Sequence, residues 1–230
     1  VAVVSEPLPP LTPNTGWQEV PIEPVSEPLV AVADLGGRVH QNAAYHRMGL
    51  PGALAHCWVR ESVGARLAEV AAGLPDGVEL LVWDGYRPYE VQKALFDGYV
   101  DELIAVHPEM PADAIEAAAT RFVSRPSTSP VAPSPHLTGG AVDLTLCAPD
   151  GTPLDLGTGF DAFVPEAGAA AFEQRPGRAR DNRRTLFWSM VRAGFAAYTE
   201  EWWHFDLWDQ FWGVVRGRPA RFGPADPPEG

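Results

Sequence analysis

Three short stretches carry residues whose types and spacing could do chemistry: "WDGYRP" (83–88), "SPHLTGGAVDLTL" (134–146) and "YTEEWWHFDL" (198–207). In the second, His136 precedes Gly139 and Gly140, which can take positive φ and bring the chain back sharply. The alternation that follows sends Asp143 the opposite way from Val142 and Leu144, toward a cleft rather than the main core. An imidazole and a carboxylate meeting at a point are ligands that zinc accepts, and a catalytic zinc takes three protein ligands with one position left open. His204, in the third stretch, could be the third ligand. Each residue also has a plainer reading. His136 and Asp143 could be a turn histidine beside a surface aspartate, and His204 could sit in an aromatic core strand. The joint set is stronger than its parts, because a glutamate just before His204 could carry a proton from attacking water to a leaving amine. Arg87 lies just past the apolar run "VELLVW", with Pro88 fixing the chain, and could stabilise an oxyanion or pair with Asp84 as a structural bridge.

Two glutamates compete for the proton-carrying role. On a regular strand Glu200 shares a face with His204 while Glu201 points away, so alternation alone selects Glu200. Glu201 can serve only if the chain bulges near Trp202 or if Glu201 lies on a turn before the strand begins.

The elements that must position these residues follow from periodicity. "HCWVRESVGARLAEVAAGLPDG" spaces Val59, Val63, Leu67, Val70 and Leu74 as a helix, and "VELLVW" is a buried strand. "PYEVQKALFDGYVDELIAVHP" sets Val91, Leu95, Tyr99 and Leu103 on one helical stripe, and "PADAIEAAATRFVS" is a shorter helix. "RPSTSPVAPSP" is a loop, and "AVDLTL" alternates as a strand. "DNRRTLFWSMVRAG" is a helix with Asp181 or Asn182 near its N-cap and Gly194 at its end. "FAAYT", "WWHFDL" and an early "PLVAVADL" supply further strands. The mixed order of strands and helices predicts an α+β fold, a single domain over 29–230 with a mainly antiparallel sheet flanked by helices. Residues 1–28, rich in proline and acid, read as an extended arm lying over it.

Composition bounds the partners. Apolar residues make up 46% and charged residues 20% of the 230, as in globular proteins. A net charge of −13 argues against nucleic acid or an anionic membrane as a partner and is compatible with a small zwitterion. Cys57 and Cys147 do not make a disulfide framework and read as buried thiols. No apolar run reaches the length of a membrane span, and the first thirty residues lack the pattern of an intact signal peptide. The expected compartment is the cytoplasm, with export left open.

Taken together, "LLVWDGYRP", "SPHLTGGAVDLTL" and "EEWWHF" resemble the zinc D-alanyl-D-alanine dipeptidases, the enzymes of vancomycin resistance and their relatives. The likeness runs from about residue 78 to 208 and is interrupted over "FDGYVDELIAVHPEMPADAIEAAATRFVSRPSTSPVA". It implies a hedgehog/D,D-peptidase fold and one catalytic zinc held by His136, Asp143 and His204. It implies further that Glu201 is the general base and acid and that Arg87 stabilises the transition state. Ser134 and Asp161 match positions that hold the dipeptide, Asp161 suiting its ammonium group, and Asp84 would support Arg87. The reaction implied is hydrolysis of D-Ala-D-Ala to two D-alanines. Relatives on the same fold are carboxypeptidases or endopeptidases acting on longer peptidoglycan stems, and others are zinc-containing binding modules without catalysis. Pro135 departs from the small or polar residue usual before the first ligand and stiffens that loop.

Overall fold

The computed structural model describes residues 5–228. Its strands are β1 (Leu29–Ala31), β2 (Val39–Gln41), β3 (Trp58–Arg60), β4 (Glu79–Asp84), β5 (Ala141–Cys147), β6 (Ala196–Ala197) and β7 (His204–Asp206). Its helices are α1 (Ala44–Arg47), α2 (Glu61–Gly73), α3 (Tyr89–Val106), α4 (Ala112–Phe122), α5 (Arg178–Arg192) and α6 (Gln210–Arg216). The main sheet has the order β2-β4-β5-β7-β6, and β1 pairs with β3 in a separate ribbon. Only β2 and β4 run parallel; every other pair is antiparallel, as the mixed element order predicts.

The core forms on the apolar face that Leu80 and Val82 of β4 share with Val142, Leu144 and Leu146 of β5. Leu80 pairs with Leu146 and Val82 with Leu144, all fully buried, and Leu67 of α2 and Leu186 and Met190 of α5 join the same core. Two register details then place the site. Between Val82 and Asp84 the β4 ladder slips by one residue, so Asp84, not Trp83, lies opposite Asp143. In a continuous ladder Asp84 would meet Val142 on the other face; the bulge turns its carboxylate to the face of Asp143. On the other side of β5, Asp143 lies directly opposite His204.

Several boundaries differ from the periodic reading. Val59 lies on β3, and α2 begins at Glu61. The helical spacing of Val59 is outweighed by its pairing with Val30 and by the Arg60 guanidinium, which donates to the carbonyls of Glu27, Thr138 and Gly223. "PLVAVADL" yields the short β1 and then a 3₁₀ turn, Val32–Asp34, outside the main sheet. "DNRRTLF" is not the start of α5: the helix begins at Arg178 behind Gly177, with Asp181 in its first turn, where a carboxylate suits the helix dipole. It ends at Arg192 with Ala193 as its C-cap, and Gly194 follows with φ 100°. The strand in "WWHFDL" is only His204–Asp206.

Along α3, Leu95, Tyr99 and Leu103 do not join the main core. They pack with Phe96 against Ala119, Phe122 and Val123 of the α4 region, giving the α3–α4 hairpin a small core of its own. Lys93, the one lysine of the chain, lies half-exposed on α3 and pairs with Asp97 one turn on. Residues 5–28 are extended apart from a 3₁₀ turn at Trp17–Glu19, and they are stitched to the rest. Ile22 bridges to Ala220, Arg184 donates to the Ser5 carbonyl and Gln210 donates to the Val20 carbonyl. Cys57 and Cys147 are free and buried. Among the described residues, no helix is long and apolar enough to cross a membrane.

Candidate metal centre

His136, Asp143 and His204 come together from a turn and two strands, and one ligand atom from each lies within 4.8 Å of the others. His136 sits in a 3₁₀ turn, Pro135–Thr138, with the proline at its first position. Gly139 closes the turn at φ 71°, and a Cβ there would meet Leu29 at 2.6 Å. A side chain at this position would be both strained and obstructed. Gly140 then leads into β5 against the Leu207 carbonyl, 2.7 Å from where its Cβ would stand.

The protonation of the two imidazoles follows from their outer partners. His136 Nδ1 donates to the Gly85 carbonyl at 2.8 Å, and His204 Nε2 donates to Asp206 Oδ1 at 2.9 Å. The inner nitrogens, His136 Nε2 and His204 Nδ1, therefore carry lone pairs, and they face each other at 3.2 Å. Asp143 completes the set, with Oδ1 2.9 Å from His204 Nδ1 and Oδ2 3.4 Å from His136 Nε2. Three buried electron-pair donors at these distances repel one another unless a proton or a metal ion stands among them, and outer hydrogen bonds that fix the tautomers are the support a metal-binding histidine needs. The donor set fits a divalent metal with nitrogen and oxygen ligands. The same crowding acts on the ionisable groups. Burial lowers the His204 pKa, but Asp206 and Asp143 outweigh it and raise it well above the usual value. Burial likewise pushes Asp143 up, and the two imidazoles overcome that and hold it far below the usual carboxylate range.

Glu201 lies before β7 in a non-strand segment held by Trp202 N–H donating to the Ala167 carbonyl at 2.9 Å. Its carboxylate is buried, with Oε2 4.0 Å from His204 Nδ1. Burial raises its pKa well above the ordinary value, and His204 only partly offsets this. Glu200 turns outward and accepts from Arg121 Nη2 at 2.9 Å. Of the two routes open to Glu201, the turn before the strand is the one the chain takes.

Arg87 is buried across the face of this group. Nε donates to Asp84 Oδ2 at 2.7 Å, Nη1 to Gln92 Oε1 at 2.8 Å, and Nη2 to both Tyr45 Oη and Asp143 Oδ2, at 3.2 and 3.0 Å. Four of the five guanidinium hydrogens are thus engaged, which leaves one Nη1 hydrogen without an acceptor among the described residues. The Arg87 amide also donates to the His136 carbonyl at 3.1 Å, which ties the two loops together. Asp84 bridges to Arg87 and also lies 3.5 Å from His136 Nδ1.

Asp161 lines the same cavity at φ 55° and accepts from Tyr45 Oη at 2.9 Å. Burial, with the nearby Asp143 charge, pushes its pKa up to about 7. Ser134 is placed differently. Its Oγ accepts from the Ser127 amide and donates to the Arg125 carbonyl, so it fixes the loop behind the cavity and does not line it; Ser124 and Pro135 do. Phe122, Phe163, Tyr198 and Phe211 complete its walls, and the free space left among them is small, about 40 Å³.

Three residues of the group escape a sequence reading. Asp206 carries a usable signal, since it follows His204 by two on one strand and shares its face. Gln92, one turn past Pro88, joins Arg87 to the Ser124 carbonyl. Tyr45 has no local signal, because its partner Asp161 is 116 residues away.

Two imidazoles and a carboxylate around one point, with a buried glutamic acid beside them, define a metallopeptidase. The chain belongs to the peptidase M15 family, described as D-Ala-D-Ala dipeptidases, which it matches over residues 42–219. It is 29% identical over 223 residues to a D-alanyl-D-alanine dipeptidase of Synechocystis sp., covering 87% of this chain and 90% of that protein. It is 29% identical over 148 residues to a D-alanyl-D-alanine dipeptidase of Escherichia coli, covering 64% of this chain and 65% of that protein. Among solved structures, the vancomycin resistance D,D-pentapeptidase VanY in complex with Zn(II) is similar at 19% identity and a TM-score of 0.45. The likeness covers 89% of this chain and 97% of that one.

Proposed function

We propose that the protein is a zinc dipeptidase that hydrolyses D-Ala-D-Ala to two D-alanines. The observation that carries this reading is the convergence of His136, Asp143 and His204 beside the buried Glu201 in one narrow cavity. Membership of the family and the activity named for its relatives support the dipeptide as substrate.

His136, Asp143 and His204 would hold one zinc ion per chain. Zinc bound there would supply Lewis acidity at the scissile carbonyl. Glu201 takes the proton of the attacking water and returns it to the leaving amine; its raised pKa suits a group that must both accept and donate. The free Nη1 hydrogen of Arg87 meets the carbonyl oxygen as negative charge develops, and the fixed guanidinium pays no reorganisation cost at that moment. Asp161 receives the ammonium group of the dipeptide, held in place by Tyr45. Ser134 shapes the cavity wall through the loop it fixes rather than by touching the dipeptide.

The test is incubation of the zinc-loaded protein with free D-Ala-D-Ala and, separately, with a pentapeptide stem ending in D-Ala-D-Ala. Cleavage of the free dipeptide is expected. Release of D-alanine from the stem alone would reassign the protein as a carboxypeptidase, and cleavage of neither would favour a binding module.

A further inference from the structure

We propose that Glu200 and Arg121 form a clasp that limits the length of peptide the cavity admits. This inference rests on the dipeptidase reading above and concerns the part of the chain, the α3–α4 hairpin, in which the sequence resembles the family least.

The hairpin forms one wall of the cavity. Phe122, Val123 and Ser124 at the end of α4 line it, and Tyr198 and Glu201 line the facing wall. Two sets of bonds cross between these walls. Arg121 Nε and Nη2 both donate to Glu200 Oε2, at 3.1 and 2.9 Å, and Tyr198 Oη donates to the Arg121 carbonyl at 3.2 Å. The Arg121 and Glu200 side chains are 58% and 34% exposed, so the pair stands at the rim rather than in the site. Glu200 and Glu201 are neighbours in one non-strand segment, and they divide the work. One faces the rim and holds the wall, while the other faces the site.

The rest of the hairpin is packed as a unit. Its own small core keeps α3 and α4 together. Beyond the clasp, α4 leans on Phe163, whose ring is 5.7 Å from Phe122 and lies two residues past Asp161. An exposed ion pair contributes little and is easily broken, which suits a closure that must open in each cycle. With it shut, the free space of the cavity is about 40 Å³, far below the usual volume of a ligand pocket. A peptide one residue longer has to pass between α4 and the 198–200 segment, through the clasp.

The test uses the zinc-loaded protein, D-Ala-D-Ala, and tripeptides that extend it by one residue at either end. The variants are Glu200→Arg, Arg121→Glu and the double swap. Each single variant is expected to raise the tripeptide-to-dipeptide ratio of kcat/KM by about 2- to 5-fold. Dipeptide kcat should stay within about twofold, and the swap should restore the wild-type ratio. Amide hydrogen exchange over 115–124 should quicken in the single variants and slow again in the swap. An unchanged ratio, an equal loss on all substrates, or exchange that ignores the charge reversal would each overturn the clasp. Wild-type protein that cleaves no dipeptide would sink the dipeptidase reading alone, and the exchange data would still decide whether the clasp holds α4 in place.

Discussion

At the scale of single residues, the adjacent glutamates are separated by where β7 starts. Alternation pairs Glu200 with His204 only if the strand reaches back to residue 200, and it begins at His204. Glu201→Gln is expected to lower kcat by about 10²–10⁴-fold while metal content, measured by elemental analysis, stays at the wild-type level. Glu200→Gln should leave dipeptide kcat near wild type. Asp161 gives a pH dependence whose sign is fixed. Its carboxyl is pushed up to about 7, chiefly by burial, so the carboxylate that receives an ammonium group is present above that pH and lost below it. The kcat/KM of the wild type should therefore fall as pH drops through about 7. Asp161→Asn should raise KM and remove that limb, and Asn tolerates the positive φ found there. Because the folded pKa exceeds the unfolded one, the same group makes the fold less stable as pH rises from about 4 to about 7. Urea titrations of the two proteins across that window should show a shallower slope for the Asn variant.

At the scale of elements, the site depends on β5 and the turn that leads into it. Gly140→Ala is expected to cost about 1–3 kcal/mol, because its Cβ would meet the Leu207 carbonyl at 2.7 Å and the Phe222 ring at 3.0 Å. Scanning calorimetry should register this as a fall in Tm of roughly 2–10 °C. The direction of Asp143 was legible in "AVDLTL" because a strand's side chains alternate, whatever they pack against. The bulge in β4 was not, since nothing in "LLVWD" marks the slip that brings Asp84 round to the same face. Val59 misled for a related reason. Its spacing suited α2, but the hydrogen bonds of the Arg60 guanidinium and the pairing with β1 outweigh periodicity over three residues. Tyr45 and Gln92 were illegible because each acts through a partner that only the tertiary fold brings near.

At the scale of the whole molecule, residues 5–28 lie along the protein and hydrogen-bond to groups of its body. We read them as an arm distinct from the unit over 29–230. The buried Gln210 amide donates to Val20, and the Ala220 carbonyl accepts from the Glu23 amide at 2.8 Å. Deleting residues 1–24 should cost at least about 1 kcal/mol, visible as a loss of roughly 2–4 °C in Tm. The hairpin of α3 and α4 has one more consequence, and it is practical. Its Lys93 is the chain's one side-chain amine, and it stands half-exposed on α3. An amine-reactive fluorophore would therefore mark a single internal position, on the wall that the clasp secures. Energy transfer from the protein's tryptophans to that dye would turn the opening of the cavity into an optical signal, one that can be followed in real time while peptide is consumed.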